Sequence, residues 1–265
     1  MGVDILSARE VFDFDVTKLI NSMPTPSALP VPATEENQRL NDEILKYASN
    51  WGKPFGFAKE QGGRLVQDLF PIKKNETEQI SSSSKVDLEM HTETAFHSHA
   101  PRYVLLFCVR GDENAGTTLS FLTDVVSGLH DDEISILSQE MFITTIDKSF
   151  LDEGEEDVEI RTSVLRNGGN EMVYDRTAMR GLTNEAQAAL EQFGKLIQSN
   201  KQTIYLKTGE IAVIQNWRTA HGRTHFQPRY DGTDRWVKRV MLSRSMPPGR
   251  DIYPTEPYYV VKSRS

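Results

Sequence analysis

The sequence holds a single cysteine, Cys108, so no intramolecular disulfide can form and a disulfide-stapled scaffold is excluded. That cysteine lies in the apolar run Tyr103-Val104-Leu105-Leu106-Phe107-Cys108-Val109, where an inert buried thiol is expected rather than a nucleophile. Basic residues are outnumbered, 30 Lys and Arg against 38 Asp and Glu, for a formal net charge of -8. Nothing in this balance draws the chain to nucleic acid or to an anionic membrane surface. No apolar stretch approaches the length of a membrane span, and residues 1 to 7 lack the basic start and apolar core of a signal peptide. The expectations are a cytoplasmic protein with a small-molecule partner, forming one domain over residues 1–265, with the oligomeric state left open.

Residues 22 to 33 hold four prolines, which exclude regular structure, and Thr34 then offers an N-cap for a helix running to about Ser49. Its buried face is predicted at Leu40, Ile44, Tyr47 and Ala48. Thr183 caps a second helix, with Leu182, Ala186, Ala189, Leu190, Phe193, Leu196 and Ile197 at helical spacing, and a shorter helix is predicted over 132–140. Strands are predicted over 103–109, 117–122, 142–145, 158–164, 171–174, 211–215 and 236–242. Many short strands with a few helices and polar loops predict a mainly β fold with peripheral helices. Its core is expected to be a jelly-roll (double-stranded β-helix, cupin-like), with helices packed on one side. The acidic run 152–157 reads as a solvated turn, and the serines at 81 to 84 as a flexible loop.

Chemistry enters at His91-Thr92-Glu93. In an extended segment, side chains two apart emerge on one face, so the imidazole and the carboxylate can reach one ion. A third donor must come from elsewhere, and His221 directly follows the apolar strand Ile211-Ala212-Val213-Ile214-Gln215 and its short connection. Two histidines and a carboxylate leave three positions of an octahedral ion open, the arrangement of non-haem Fe(II) oxygenases. H-x-E alone is a weak signal, common as a surface pair. Arg235, at the start of the next strand, adds a guanidinium able to grip a carboxylate bidentately.

Three stretches together resemble the clavaminate synthase-like branch of the taurine dioxygenase superfamily: His91-Thr92-Glu93-Thr94-Ala95-Phe96-His97, Gly116-Thr117-Thr118, and His221-Gly222-Arg223 through Tyr230-Asp231-Gly232-Thr233-Asp234-Arg235-Trp236. The resemblance implies iron on His91, Glu93 and His221, with 2-oxoglutarate as cosubstrate and O2 as oxidant. The far carboxylate of 2-oxoglutarate would be held by Thr118, 27 residues beyond His91, and Arg235, 14 beyond His221. It also covers Leu65-Val66-Gln67-Asp68-Leu69-Phe70-Pro71 and the serine run. In a free amino-acid hydroxylase these would place Gln67 and Glu93 at the substrate amine, Ser84 in the substrate-binding loop that closes over it, and Arg239, four residues beyond Arg235, on the substrate carboxylate. Relatives that act on arginine carry two acids as D-x-D. Here the stretch reads Asp175-Arg176-Thr177, so Asp175 remains and the second acid is a threonine.

The substrate implied is a free polar or basic L-amino acid, lysine-like or arginine-like, hydroxylated at an unactivated C–H bond with release of succinate and CO2. Alternatives are a carrier-bound amino acid or natural-product intermediate, modified by hydroxylation, desaturation or cyclisation. More remote are a zinc hydrolase, which would have no need of Arg235 and Thr118, and a non-enzymatic cupin-like binding protein that uses the pocket for sensing. Structural roles are expected for His97 and His99, loop positions for His130 and His225, and core or pocket-wall positions for Trp217 and Trp236.

Overall fold

In the computed structural model, which describes residues 2–7, 12, 16–147, 150–151, 158–245, 252–255 and 258–261, strand β5 (Tyr103–Arg110) accounts for its own unbroken apolar run. Successive side chains alternate faces, and both faces are covered. Leu105, Phe107 and Val109 pack with Leu40, Ile44 and Ala48 of helix α2 (Glu35–Ala48), whereas Val104, Leu106 and Cys108 turn inward.

The sheet around β5 runs β1 (Val3–Ser7), β13 (Glu210–Gln215), β5, β15 (Trp236–Ser243), β2 (Lys53–Phe57), β17 (Tyr258–Val261), β16 (Ile252–Thr255), with β3 (Gln67–Leu69) also paired to β15. A second sheet, β12 (Gln202–Ile204), β6 (Thr117–Phe121), β14 (Thr219–Arg223), β4 (Leu88–His91), packs on its inward face through Leu119. Shorter pieces complete the β structure. Strand β7 (Phe142–Thr145) lies between β8 (Glu159–Thr162) and β11 (Met179–Gly181), and β9 (Leu165–Arg166) pairs with β10 (Glu171–Met172). This is a jelly-roll core with peripheral helices, as the strand pattern predicts.

The helices differ from expectation in placement: they cover both outer faces rather than one side. Helices α1 (Val16–Asn21) and α2 pack on the large sheet. Helices α3 (Leu122–Val126), α4 (Asp131–Leu137) and α5 (Asn184–Ser199) pack with Met90 and Ala220 on the outer face of the small one. Each sheet has an apolar outer face, and each such face must be buried. Thr34 and Thr183 cap α2 and α5, their hydroxyls accepting from Asn37 N and Ala186 N at 3.2 Å. Leu182, assigned above to the face of α5, precedes the cap and is 40% exposed. The proline segment lacks helix and strand, and Arg110 ties it to the large sheet by donating to Thr25 Oγ1, Met23 O and Gly232 O. The acidic run 152–157 lies outside the described residues. No helix among them is long and apolar enough to cross a membrane.

Candidate active site

The small sheet brings His91 and His221 together directly, because they are register partners between β4 and β14. Cross-strand partners share a face, and the two ring centroids lie 4.6 Å apart. His91 Nδ1 donates to Glu89 O at 2.8 Å, which fixes the ring and leaves Nε2 with a lone pair. Glu93 arrives differently from the strand-alternation argument, because β4 ends at His91. Thr92 leaves the sheet through mutual hydrogen bonds with the backbone of Tyr174, and Thr94 takes a positive φ of 48°. Asn216 completes the turn: its Oδ1 accepts from Glu93 N at 2.7 Å and its Nδ2 donates to Glu93 O and Pro101 O. The only hint of Asn216 in the sequence is its position just after an apolar strand.

The outcome is a donor trio, His91, Glu93 and His221, whose ligand atoms all lie within 4.8 Å of one another. Two imidazole nitrogens and one carboxylate oxygen, largely buried, fit a first-row divalent ion with three positions left open. Burial alone would push the Glu93 carboxyl up. The Arg239 guanidinium, with His221 and His91, outweighs burial and holds it well below the usual carboxylate range. His221 is pushed down, chiefly by burial, which favours the neutral ligand form.

Arg239 is the hub of the next layer. It donates to Glu93 Oε1 at 2.7 Å, to Glu60 Oε1 at 2.9 Å and to Gln67 Oε1 at 2.9 Å, the last through Nε. Gln67 is its register partner across β3 and β15. At the adjacent register pair, Lys238 with Asp68, the side chains face the other way: Lys238 is fully buried and donates to Asp68 Oδ1 at 2.7 Å and Asn37 Oδ1 at 2.8 Å. Trp236 Nε1 donates to the same Asp68 oxygen, so a satisfied polar network pins β3 beside β15.

A cavity of about 320 Å³ opens over the trio and reaches Arg239 and Glu60 on one side and Arg235, Arg223 and Thr117 on another. Arg235 Nη2 donates to Thr117 Oγ1 at 3.3 Å, and among the described residues no carboxylate pairs with it. Burial pushes its guanidinium down, and the same cause, with Arg235 nearby, brings Arg223 to about 10. Phe96, Phe150, Asp147 and Asp175 line the remainder.

This geometry has counterparts. The family model "Taurine catabolism dioxygenase TauD, TfdA family" matches residues 152–241. L-Asparagine oxygenase of Streptomyces coelicolor is 33% identical over 217 residues, covering 81% of this chain but 65% of that protein, so the match spans just under two thirds of that relative. Enduracididine β-hydroxylase of Streptomyces hygroscopicus is 32% identical over 248 residues, 84% of this chain and 72% of its own length. A crystal structure of asparagine oxygenase with Fe(II), 2S,3S-3-hydroxyasparagine and succinate matches with a TM-score of 0.85 at 31% identity, covering 98% of this chain and 80% of that one. The chain belongs to the Fe(II)- and 2-oxoglutarate-dependent oxygenases. Its place is in the clavaminate synthase-like branch.

Within this oxygenase the residues singled out from sequence divide into two sets. His91, Glu93, His221, Arg235, Arg239 and Asp175 all line the cavity. Three others do not, and in each case a nearby residue lines it. Thr118 turns to the outer face, its hydroxyl on Met90 Sδ, while Thr117 stands beside Arg235. The register fixes this, since Leu119 is the partner of His221 and Thr117, two residues away, shares its face. Gln67 is buried behind Arg239, and Glu60, overlooked in the sequence, presents its carboxylate to the cavity. Ser84 is fully buried, and Ser81 and Ser82 line the cavity in its place.

His97 packs on Phe57 and accepts from His99 N, away from the trio. Trp236 is core, and Trp217 lies under Arg102 at 3.9 Å. His225 pairs with Asp87, and His130 precedes α4.

Proposed function

We propose that the chain is one hydroxylase domain that uses Fe(II), 2-oxoglutarate and O2 to oxidise an unactivated C–H bond of a free polar or basic L-amino acid. The observation that carries this reading is the position of Arg239 and Glu60 beside the donor trio in one cavity. A zwitterion needs a cation and an anion side by side. Arg239 supplies the first for the α-carboxylate, and Glu60 with Glu93 supplies the second for the α-ammonium. Gln67 holds the Arg239 guanidinium from behind. At another wall, Arg235 and Thr117 offer a buried cation and a hydroxyl to the far carboxylate of 2-oxoglutarate.

When bound to His91, Glu93 and His221, iron supplies the oxidising chemistry: substrate, 2-oxoglutarate and O2 give hydroxylated product, succinate and CO2. The protein orients the substrate and keeps water from the cavity. Asp175 accounts for the side-chain preference. Its Oδ1 is taken by Thr177 N, Thr177 Oγ1 and Ala178 N, so Oδ2 alone is left for a ligand. One oxygen suits the ammonium of a lysine-like side chain better than the planar fork of a guanidinium. The named substrates of the asparagine and enduracididine relatives, both amino acids, support the class.

The test is anaerobic addition of Fe(II) and 2-oxoglutarate, which should give the weak visible charge-transfer band of the chelate, followed by succinate release with lysine, ornithine, arginine, asparagine and leucine. Absence of the band removes the reading. Turnover confined to carrier-bound amino acids shifts it to the carrier-dependent alternative.

A further inference from the structure

Arg223 follows His221 by two positions in β14, and both side chains face the cavity. Its register partner on β6 is Thr117, whose hydroxyl accepts from Arg235 Nη2. Two guanidiniums therefore flank one threonine. Arg223 is 4% exposed and Arg235 9%, and among the described residues neither forms an ion pair with a carboxylate. Buried charges are normally paired, so two unpaired cations at one wall describe a place prepared for an anion.

Arg223 also reaches the other way. Its Nη2 donates to Ser83 Oγ at 2.8 Å and to Val86 O at 3.2 Å, its Nη1 approaches Ser84 O at 3.5 Å, and among the described residues the buried Nε has no hydrogen-bond partner. The segment it grips carries Ser81 and Ser82 along the cavity wall. Other ties on that segment come from Ile72 N and Asn75 Nδ2 to Ser82, from Ser84 N to Glu76 O and from Phe226 N to Ser84 O. Arg223 is the one side chain among these ties that belongs both to the segment's support and to the cationic wall.

We propose that Arg223 is a positioning residue that couples occupation of the cosubstrate's carboxylate pocket to placement of the serine segment 81–84 along the substrate cavity. The inference rests on the oxygenase reading above. An anion beside Arg235 fixes the Arg223 guanidinium by charge, and the fixed guanidinium holds its contacts to Ser83, Ser84 and Val86 in place. Cosubstrate bound first thus shapes the wall that the amino acid then meets.

The experiment is hydrogen–deuterium exchange on the full chain, loaded anaerobically with Fe(II), with and without 2-oxoglutarate, for wild type, Arg223→Gln, Arg223→Lys and Ser83→Ala. In wild type, 2-oxoglutarate slows exchange across residues 80–86 by about threefold or more. Arg223→Gln loses that protection, and its KM for the amino acid at saturating 2-oxoglutarate rises about tenfold, more than kcat falls. Arg223→Lys keeps the charge but cannot span the acceptors, so it retains 2-oxoglutarate affinity and loses the protection. Ser83→Ala, which removes one acceptor without touching the cavity charges, weakens the protection. Three results overturn the proposal: no protection in wild type, undiminished protection with an unchanged amino-acid KM in folded Arg223→Gln, or, where that variant does not fold, undiminished protection in Ser83→Ala. Failure of wild type to give the chelate's visible band is a different outcome, one that removes the oxygenase reading and this inference with it.

Discussion

Arg239 Nη1 donates to Glu93 Oε1 at 2.7 Å, with both side chains buried, while Glu93 Oε2 lies 3.5 Å from His221 Nε2. The two oxygens of one carboxylate face Arg239, the proposed anchor of the substrate, and the metal-donor side respectively. Replacing Arg239 by Met leaves Glu93 and Glu60 without their shared cation. Unfolding stability is expected to fall by about 3–5 kcal/mol, and amino-acid-triggered turnover to be lost while the 2-oxoglutarate band on Fe(II) persists. Urea denaturation and anaerobic absorption spectra check both parts, and wild-type stability with wild-type substrate KM would contradict the geometry.

The Thr117 and Thr118 assignments separate cleanly by kinetics. Arg235→Ala should raise the KM for 2-oxoglutarate at least about tenfold, since losing a buried charged partner costs on the order of 2–5 kcal/mol. Thr117→Val should raise it by a smaller factor, about two- to tenfold, for one neutral hydrogen bond. Thr118→Val should leave it unchanged, because that hydroxyl faces Met90 on the outer side of the sheet. The reverse ranking of the two threonines would show that the β6 register is misread.

Gly222 is required by close approach between strands. A Cβ there would meet Leu88 O at 2.4 Å and Thr118 Oγ1 at 2.9 Å, at the irregularity where β4 changes register between His221 and Arg223. In Gly222→Ala the backbone of β4 must give way, moving His91 relative to His221. Iron content after anaerobic loading and desalting is expected to drop severalfold while far-ultraviolet circular dichroism stays close to wild type. Full iron retention would show that the strands absorb the methyl group.

On the proposed reading, Asp175 and Thr177 set the side-chain preference. Asp175→Asn removes the charge that the proposed reading offers to a distal ammonium and leaves the turn formed by Thr177 and Ala178 a weaker, neutral acceptor. Discrimination of lysine over leucine, measured by succinate release, is expected to shrink by about tenfold or more. Thr177→Asp places a second carboxylate two residues on and should raise arginine turnover relative to lysine. An unchanged rank order in both variants would place the selecting group elsewhere in the cavity.

Cys108 should behave as a sealed thiol. It is 1% exposed, donates to Leu206 O at 3.3 Å, and burial pushes it up to about 12. At pH 8 the thiolate fraction is on the order of 10⁻⁴, so iodoacetamide should leave the folded protein unmodified for hours and label one site per chain after unfolding. Rapid native labelling would mean that the inner face of β5 opens readily.

What the amino-acid sequence determined by itself was local or carried by residue type. The caps at Thr34 and Thr183 and the apolar periodicities gave α2 and α5, and alternation with unbroken apolar runs gave β5, β13 and β15. His91, Glu93, His221 and Arg235 stood out because few residue types make a mixed donor set with a nearby carboxylate anchor. Strand β14, Thr-Ala-His-Gly-Arg, carries no strand pattern of its own and is a strand because β4 and β6 supply its hydrogen bonds.

Only the tertiary structure decided which of two neighbours lines the cavity, Thr117 rather than Thr118, Glu60 rather than Gln67, Ser81 and Ser82 rather than Ser84, and that Asn216 clamps Glu93. Side chains in a strand change face at every residue, so a one-residue error in register moves a hydroxyl from the cavity to the opposite side of the sheet. That register is set by hydrogen bonds to a strand about a hundred residues away in sequence, as between β6 and β14, and no local pattern at Thr117 or Thr118 records it.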